Sequence, residues 1–202
     1  MRTKSEERRQ AMVQTAAEVF LERGYEATSM AEICSRVGGS KATLYGYFKS
    51  KEELFLSVMK MLAEERMSQA YSRLIPGEDL SAALCAFGEN YMQVILSPDM
   101  LAMRSIIAGE LVRAGAAQQF FDAGPRQGWG KVAIYLEAEM AAGRLRRADG
   151  WTAAMQLLAL IQAEYQQTFL IGLLDADGLT LLSQRVAAGV AVFLAWYAVP
   201  AG

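Results

Sequence analysis

Apolar residues recur three and four positions apart along most of the chain, which is the spacing of amphipathic helices. Residues 4–23 form the first such stretch, and residues 51–74 form a long one that stops at Pro76-Gly77. Further helices are predicted over 79–96, from Pro98 onward, from Gly124-Pro125 to Gly143, over 151–174 and over 178–198. No stretch alternates apolar and polar residues as a half-buried strand does, so the pattern predicts an all-α protein.

Residues 28–55 carry the sharpest local signals for helix starts and stops. The residues that can cap a helix N-terminus are Ser29, Ser40 and Ser50. Gly38-Gly39 ends the helix opened by Ser29, because glycine adopts the left-handed conformation that stops a helix. Residues 41–47 then form a short second helix. A helix, a glycine turn and a second helix with a basic residue at its start are typical of a DNA-reading helix-turn-helix.

Residues 9–58 resemble the DNA-binding domain of the TetR family of bacterial transcriptional regulators. The matching positions are Ala17, Phe20, Gly24-Tyr25, Thr28, Ile33, Gly38, Ser40, Thr43-Leu44-Tyr45, Tyr47-Phe48, Lys51 and Leu54. The turn reads Val37-Gly38-Gly39-Ser40, whereas Ala-Gly-Val-Ser is common in this family. A helical hairpin inside an all-α core is the other interpretation, but it leaves the polar and aromatic residues of 41–51 unexplained.

The resemblance implies a set of DNA-binding residues on and around the second helix: Thr28, Ser29, Ser40, Lys41, Ala42, Thr43, Tyr45, Tyr47 and Lys51. Hydroxyls at helix starts suit phosphate, although plain capping explains them equally well. Lys41 can donate to guanine or to phosphate, and methyl groups of Ala42 and Thr43 suit thymine. Lys51 takes the position of a phosphate clamp; a solvated lysine is the alternative. Each tyrosine contacts the sugar-phosphate backbone or is a half-buried aromatic.

Residues 104–145 look like the effector domains of AefR-type TetR relatives. The positions that carry this likeness are Arg104, Glu110, Phe120-Phe121, Gly124-Pro125 and Gly143-Arg144-Leu145. The resemblance implies two domains. Residues 1–50 are the expected three-helix DNA-binding domain, and residues 51–202 the expected helical domain for effector binding and dimerisation, with helix 51–74 linking the two.

An effector pocket is expected among the apolar and aromatic residues of the central helices. The candidates for effector binding are Phe87, Tyr91, Met100, Met103, Ile107, Trp129, Glu164, Tyr165 and Phe169. Such residues at helical spacing also form ordinary cores. Glu110 and Glu164 interrupt apolar stretches, so each meets a cation, pairs with an arginine such as Arg104 or Arg113, or faces solvent. An unpaired Glu164 in the pocket would favour cationic effectors.

The last two predicted helices are apolar over more than one face, which indicates burial on several sides. In the TetR family the corresponding helices form a four-helix dimer interface, so a homodimer is expected; a large internal core is the alternative. The candidate interface residues are Leu157, Ile161, Val190, Leu194 and Trp196.

Charge and composition narrow the classes of function. Residues 1–60 hold ten basic and eight acidic residues, a net of +2, and the remainder holds a net of −4, so a DNA contact must come from a local face. The 202 residues include no histidine, which removes the commonest general base and metal ligand. The two cysteines form no framework, which favours a reduced cytoplasmic setting. The longest apolar run, 186–199, is too short to cross a membrane.

The sequence therefore predicts a dimeric transcriptional regulator that binds an inverted-repeat operator in double-stranded DNA. We expect a repressor released by a small apolar effector, with no cofactor, no metal and no enzymatic activity. One alternative is a helical DNA-associated interaction module without an effector. The other is a small helical enzyme on apolar substrates, which lacks a histidine, a phosphate-binding loop and an activated cysteine.

Overall fold

The computed structural model describes residues 4–98, 100–101, 118, 121–122, 124–170 and 180–199. Its helices are α1 (Lys4–Arg23), α2 (Met30–Val37), α3 (Lys41–Tyr47), α4 (Lys51–Tyr71), α5 (Leu80–Ile95), α6 (Pro125–Ala141), α7 (Gly150–Leu170) and α8 (Leu182–Tyr197). The predicted all-α class is confirmed. The long helix ends at Tyr71 rather than residue 74, because the amides of Arg73 and Leu74 already bond three residues back in tighter turns.

Serine and aspartate side chains start the helices where the sequence predicts. Ser29 Oγ accepts the Glu32 amide at 3.2 Å, Ser40 Oγ accepts the Thr43 amide at 3.1 Å, and Asp79 caps α5 in the same way. Gly38 has φ 75°, and its N–H donates to the Cys34 carbonyl at 3.2 Å. This left-handed residue ends α2 and frees the chain to turn into α3.

The chain divides into two compact units, and the division falls within α4. The first unit comprises residues 1–65 and 97–124. Its core includes an aromatic cluster in which Tyr25 and Phe20 lie edge-on to Phe55, with ring centroids 4.9 and 5.2 Å away. These contacts join the chain after α1 to the start of α4. The boundary predicted between residues 50 and 51 stays a prediction.

The second unit comprises residues 66–96 and 125–202, and its described helices α5 to α8 pack on one another. Glycines allow two close approaches in this unit. A Cβ at Gly189 of α8 would lie 2.8 Å from the Leu160 carbonyl oxygen of α7, and one at Gly88 of α5 would lie 2.6 Å from a Val186 methyl. An isolated antiparallel bridge pairs Leu145 with Ala198. Among the described residues, no helix has the length and apolarity to cross a bilayer.

A buried charge that the sequence analysis missed joins two loops of the second unit. Glu139 in α6 is fully buried, and its carboxylate pairs with Arg144 and accepts the Gly77 amide at 3.3 Å. The contact with Arg144 holds the pKa of Glu139 below its usual range. The charge is therefore retained inside the fold because both an ion pair and a backbone donor compensate its desolvation.

Candidate nucleic-acid interface

Helix α3 turns one face outward and holds the other in the core. Leu44 within α3 and Phe48 directly after it are buried, which fixes the rotation of the helix about its own axis. Lys41 and Ala42 are exposed, and the Tyr45 side chain is 48% exposed. The exposed face thus offers a cation, a methyl group and a phenol at the N-terminal half of a short helix, which is the end that enters a major groove.

The hydroxyls at the start of α3 are used within the helix. Ser40 Oγ accepts the Thr43 amide and lies 2.8 Å from Thr43 Oγ1. These bonds fix the first turn of α3 and orient both hydroxyls. One of these hydroxyls donates to the other, which leaves the O–H of the second for an outside acceptor such as a phosphate oxygen. Capping and a contact with DNA are therefore compatible here.

Helix α1 braces the end of α3 through residues that the sequence analysis did not single out. The hydroxyl of the half-buried Tyr47 lies 3.2 Å from Ser5 Oγ. The Arg9 guanidinium lies 4.9 Å from the Phe48 ring centroid and donates to Ser57 Oγ at 3.0 Å. Partners 39 and 48 residues away from Arg9 leave no local spacing that would reveal them.

The turn between α2 and α3 is held by a thiol. Cys34 is buried, and its Sγ donates to the Gly39 carbonyl at 3.0 Å. Gly39 has no positive φ, and a Cβ at this position would meet nothing within 4 Å. The departure from the common family turn therefore removes an apolar side chain from Gly39, and a hydrogen bond from α2 restrains the backbone there instead.

The predicted phosphate-facing residues have different surroundings. Ser29 is exposed at the N-terminus of α2, whereas Thr28 is buried and its hydroxyl donates to the Gly24 carbonyl at 2.7 Å. Lys51 Nζ donates to the carbonyls of Tyr25 and Thr28 at 2.9 and 3.1 Å. Ser29 is thus placed where a phosphate can reach it, while Thr28 and Lys51 have their polar groups engaged by the protein.

An aromatic cluster of the second unit contains several of the predicted effector residues. We define it as Tyr71, Phe87, Tyr91 and Trp129. Trp129 Nε1 donates to Tyr91 Oη at 3.3 Å. The Phe87 ring is stacked on Tyr71 with centroids 5.9 Å apart and is tilted against Tyr91 with centroids 5.5 Å apart. Tyr71, from the end of α4, was not predicted; its hydroxyl occupies the space where Gly128 lacks a Cβ, and burial raises its pKa.

The remaining effector candidates are Met100, Met103, Ile107, Glu164, Tyr165 and Phe169. Met100 and Tyr165 are buried. Met103 and Ile107 lie outside the described residues, as does the side chain of Phe169. The described residues contain no group of three His, Cys, Asp or Glu side chains placed to hold a metal ion.

The surroundings of Glu164 contradict one expectation, that of an unpaired carboxylate in an effector pocket. Its carboxylate pairs with Arg185 Nε at 2.6 Å, and its side chain is 64% exposed. The arginine partner comes from α8, far along the chain, rather than from the two arginines considered above. The condition for a cationic effector, an unpaired Glu164 facing a cavity, is therefore not met. Glu110 lies outside the described residues.

The predicted interface residues fall into two groups. Leu157, Ile161 and Val190 are buried against other helices of their own chain, because α7 and α8 pack closely at Gly189. Leu194 is half-buried, and Trp196 is 66% exposed beside Arg146, whose guanidinium lies 5.4 Å from its ring. Val192, which was not predicted, is 58% exposed on the same side of α8. Only the exposed group retains surface that a second chain can cover.

Family models match most of the chain. Residues 13–58 match the model for bacterial regulatory proteins of the tetR family, and residues 82–199 match the C-terminal domain of AefR-like transcriptional repressors. Together the two matches include α2, α3, the start of α4, nearly all of α5 and the whole of α6 to α8.

Individual proteins give the same result. The flavonoid-responsive regulator FrrA is 32% identical with a TM-score of 0.72, over 96% of this chain and 99% of that one. A TetR-family transcriptional regulator from Mesorhizobium loti shares the fold, with a TM-score of 0.87 at 23% identity over 98% and 100% of the two chains. The transcriptional activator FasR of Mycolicibacterium smegmatis is 41% identical over 86 residues, 41% of this chain and 39% of that protein. The chain thus spans about two fifths of the curated relatives it matches.

Proposed function

Because this chain belongs to the TetR family of bacterial transcriptional regulators, with an AefR-like C-terminal domain, we propose that it is a dimeric repressor whose effector is small and apolar. Its family consists of DNA-binding regulators and not of enzymes. In this proposal α3 of each subunit binds one half of an inverted-repeat operator, and the effector releases the dimer from DNA. The observation that carries the proposal is the outward face of α3, capped by Ser40 and anchored by Leu44.

The chemistry of that face supports base reading. The Lys41 ammonium donates to guanine O6 and N7, and the Ala42 methyl packs on a thymine methyl. Tyr45 extends its hydroxyl to the sugar-phosphate backbone. The position of Gly46 contributes no side chain, so specificity rests on the first turn of the helix.

Dimerisation is supported by apolar surface on α8. Val192 and Trp196 lie one helical turn apart and are both more than half exposed. Isolated apolar side chains on a surface are common, but a pair on one helix face next to small residues such as Ala188 and Ala195 suits a helix-helix contact. Two-fold symmetry of such a dimer matches an operator with inverted half-sites.

A planar aromatic effector is favoured over a fatty one. The aromatic cluster offers ring faces and two phenols in the second unit, and aromatic rings pack on one another in stacked or edge-on geometry. FrrA, described as flavonoid-responsive, is similar over nearly all of its length. The fatty acid metabolism regulator protein of Bacillus subtilis is 33% identical over only 63 residues. The likeness to FrrA therefore includes the effector region, and it carries more weight.

Activation is the second candidate, because FasR is described as a transcriptional activator. Its match covers under half of either chain, whereas the AefR-like repressor model covers residues 82–199. A reporter gene behind the protein's own operator separates the two. Deletion of the regulator raises expression if it represses and lowers expression if it activates.

The DNA-binding proposal is tested by footprinting on the DNA upstream of the protein's own gene, followed by binding isotherms. We expect Lys41→Ala to relax the base preference at one position of each half-site, with a loss of about 1–3 kcal/mol for the preferred sequence. Lys49→Ala, which removes an exposed lysine just after α3, is the matched control for charge. Equal affinity of the wild type for the operator and a scrambled duplex would refute operator binding.

The effector proposal is tested with flavonoids, fatty acids and apolar cations of similar size. We expect flavonoids to raise the melting temperature and to weaken operator binding by a coupling of about 1–3 kcal/mol. Compounds that stabilise the protein without changing operator affinity would show a binding site but no switch. If no compound class does either, the proposal of a small apolar effector fails.

A further inference from the structure

We infer that Lys51 is a positioning residue of the DNA-reading unit rather than a contact to DNA phosphate. This inference rests on the proposed operator binding, because position matters only if α3 reads DNA. Three observations favour this role: the contacts of Lys51, the burial of the residues that it contacts, and the place of those residues in the chain.

The Lys51 ammonium is engaged by contacts within its own chain. An ammonium group carries three N–H donors. Two of them point to the carbonyl oxygens of Tyr25 and Thr28, at 2.9 and 3.1 Å. Lys51 Nζ also lies 4.1 Å from the centroid of the Tyr25 ring, which is a close cation–π contact.

The partners of Lys51 are themselves fixed. Tyr25 is buried and its ring contacts Phe20 and Phe55, with centroids 5.7 and 4.9 Å away. Thr28 is buried, donates from its hydroxyl to Gly24 and from its amide to the Tyr25 carbonyl. These contacts restrain the segment 24–28 at Tyr25 and Thr28. Lys51 supplies donors to two carbonyls of this segment, between the end of α1 and the start of α2.

The position of Lys51 in the chain explains why these contacts matter for the placement of α3. Lys51 is the first residue of α4, and Thr28 directly precedes Ser29, the N-cap of α2. The bonds therefore join the start of α4 to the start of α2. Helix α2 leads through the turn at Gly38 into α3, so a shift at Thr28 moves the reading helix.

The test compares Lys51→Ala with Lys49→Ala, which removes an exposed lysine two residues away. Operator and scrambled duplexes are titrated over a series of salt concentrations. For Lys51→Ala we expect operator affinity to fall about tenfold, because two carbonyls lose their donor, with scrambled-duplex affinity and salt slope unchanged. Loss of a phosphate contact would instead weaken both duplexes and flatten the slope by about one. That second pattern, or an unchanged operator affinity, would overturn the inference.

Two further variants separate position from folding. Lys51→Met keeps an apolar stem over Tyr25 but has no donors, and it replaces Lys51→Ala if the alanine variant does not fold. Lys51→Arg retains donors for the carbonyls, so we expect it to recover most of the operator affinity. The amides of Thr28 and Glu32 donate to the Tyr25 carbonyl and to Ser29 Oγ at this junction. Their hydrogen exchange should accelerate in the methionine variant and not in Lys49→Ala; unchanged exchange would count against the inference.

A failure of the proposed function gives a different result. If the wild-type protein binds no operator at all, the proposed function fails before any variant is compared. If the wild type binds specifically and Lys51→Met shows the phosphate pattern, operator binding stands and only the positioning role is lost.

Discussion

Glu139 shows how a single buried charge can organise two loops. Its side chain binds Arg144 and the Gly77 amide, while its own carbonyl accepts the amides of Arg144 and Leu145 at 3.0 and 3.3 Å. One residue thus meets the loop after α4 and the loop after α6. Replacing the carboxylate by an amide leaves one acceptor oxygen for these two donors and turns an NH2 group toward the other.

We predict that Glu139→Gln destabilises the second unit by about 1–3 kcal/mol at neutral pH. The pKa of Glu139 is lowered in the folded state, so its contribution is present above the unfolded pKa of about 4.3 and is lost as pH falls through the folded pKa. The variant should therefore lose less stability than the wild type on acidification. Denaturant unfolding at neutral and acidic pH checks this, with the exposed Glu137→Gln as control. Parallel pH profiles of wild type and Glu139→Gln would contradict it.

At the scale of single residues, the sequence predicts contacts that are local and misses those that are not. Ser29 and Ser40 cap their helices because each partner lies three residues away. The partners of Lys51 lie 23 and 26 residues away, and its family position indicated a phosphate instead. The hydrogen bond from the Cys34 thiol to the Gly39 carbonyl spans only five residues, but no sequence rule pairs a thiol with a turn carbonyl.

At the scale of helices, periodicity and glycine signals predict the boundaries of α1, α2 and α3 closely. Periodicity does not say what covers an apolar face. Leu157, Ile161 and Val190 were predicted at a dimer interface, and α7 and α8 bury them against their own chain. An apolar surplus on two neighbouring helices has the same pattern whether the partner is internal or a second subunit.

We predict that Gly189→Ala destabilises the protein because the added methyl would lie 2.8 Å from the Leu160 carbonyl and force α7 and α8 apart. Overpacking of this kind costs about 1–3 kcal/mol, more than the roughly 1 kcal/mol that alanine gains over glycine in a helix. Gly130→Ala in α6 is the matched control, since nothing lies within 4 Å of its Cβ and it should stabilise. Urea unfolding of both variants measures the change in the free energy of unfolding. Equal gains in stability would show that α7 and α8 can separate without cost.

At the scale of the whole molecule, the sequence predicts class and family because several independent signals agree: caps, turn glycines, apolar periodicity and a family pattern. The operator, the effector and the dimer contact depend on partners that a single chain does not contain. The exposure of Val192 and Trp196 indicates which apolar surface of α8 a second chain can cover, which composition alone does not indicate.

We predict that Val192→Glu converts a dimer into monomers at micromolar concentration, because a charge buried in an apolar contact has no partner there. Ile134→Glu is the control: Ile134 lies on a different helix, α6, is 68% exposed, and its replacement should leave the dimer intact. Sedimentation velocity measures both. A wild-type monomer, or a Val192→Glu protein that still sediments as a dimer, would refute the α8 interface.

Each of the two units contains one cysteine thiol that a thiol reagent can label. Cys34 is buried in the first unit beside the turn that positions α3, and Cys85 is half-buried in the second, where burial raises its thiol pKa. A thiol reagent reaches Cys34 only when the turn opens, so its labelling rate scales with the population of the opened turn. In a Cys85→Ser variant, the measured labelling rate is that of Cys34 alone. Loss of the DNA-reading conformation can then be timed on the free protein, before any operator or effector is known.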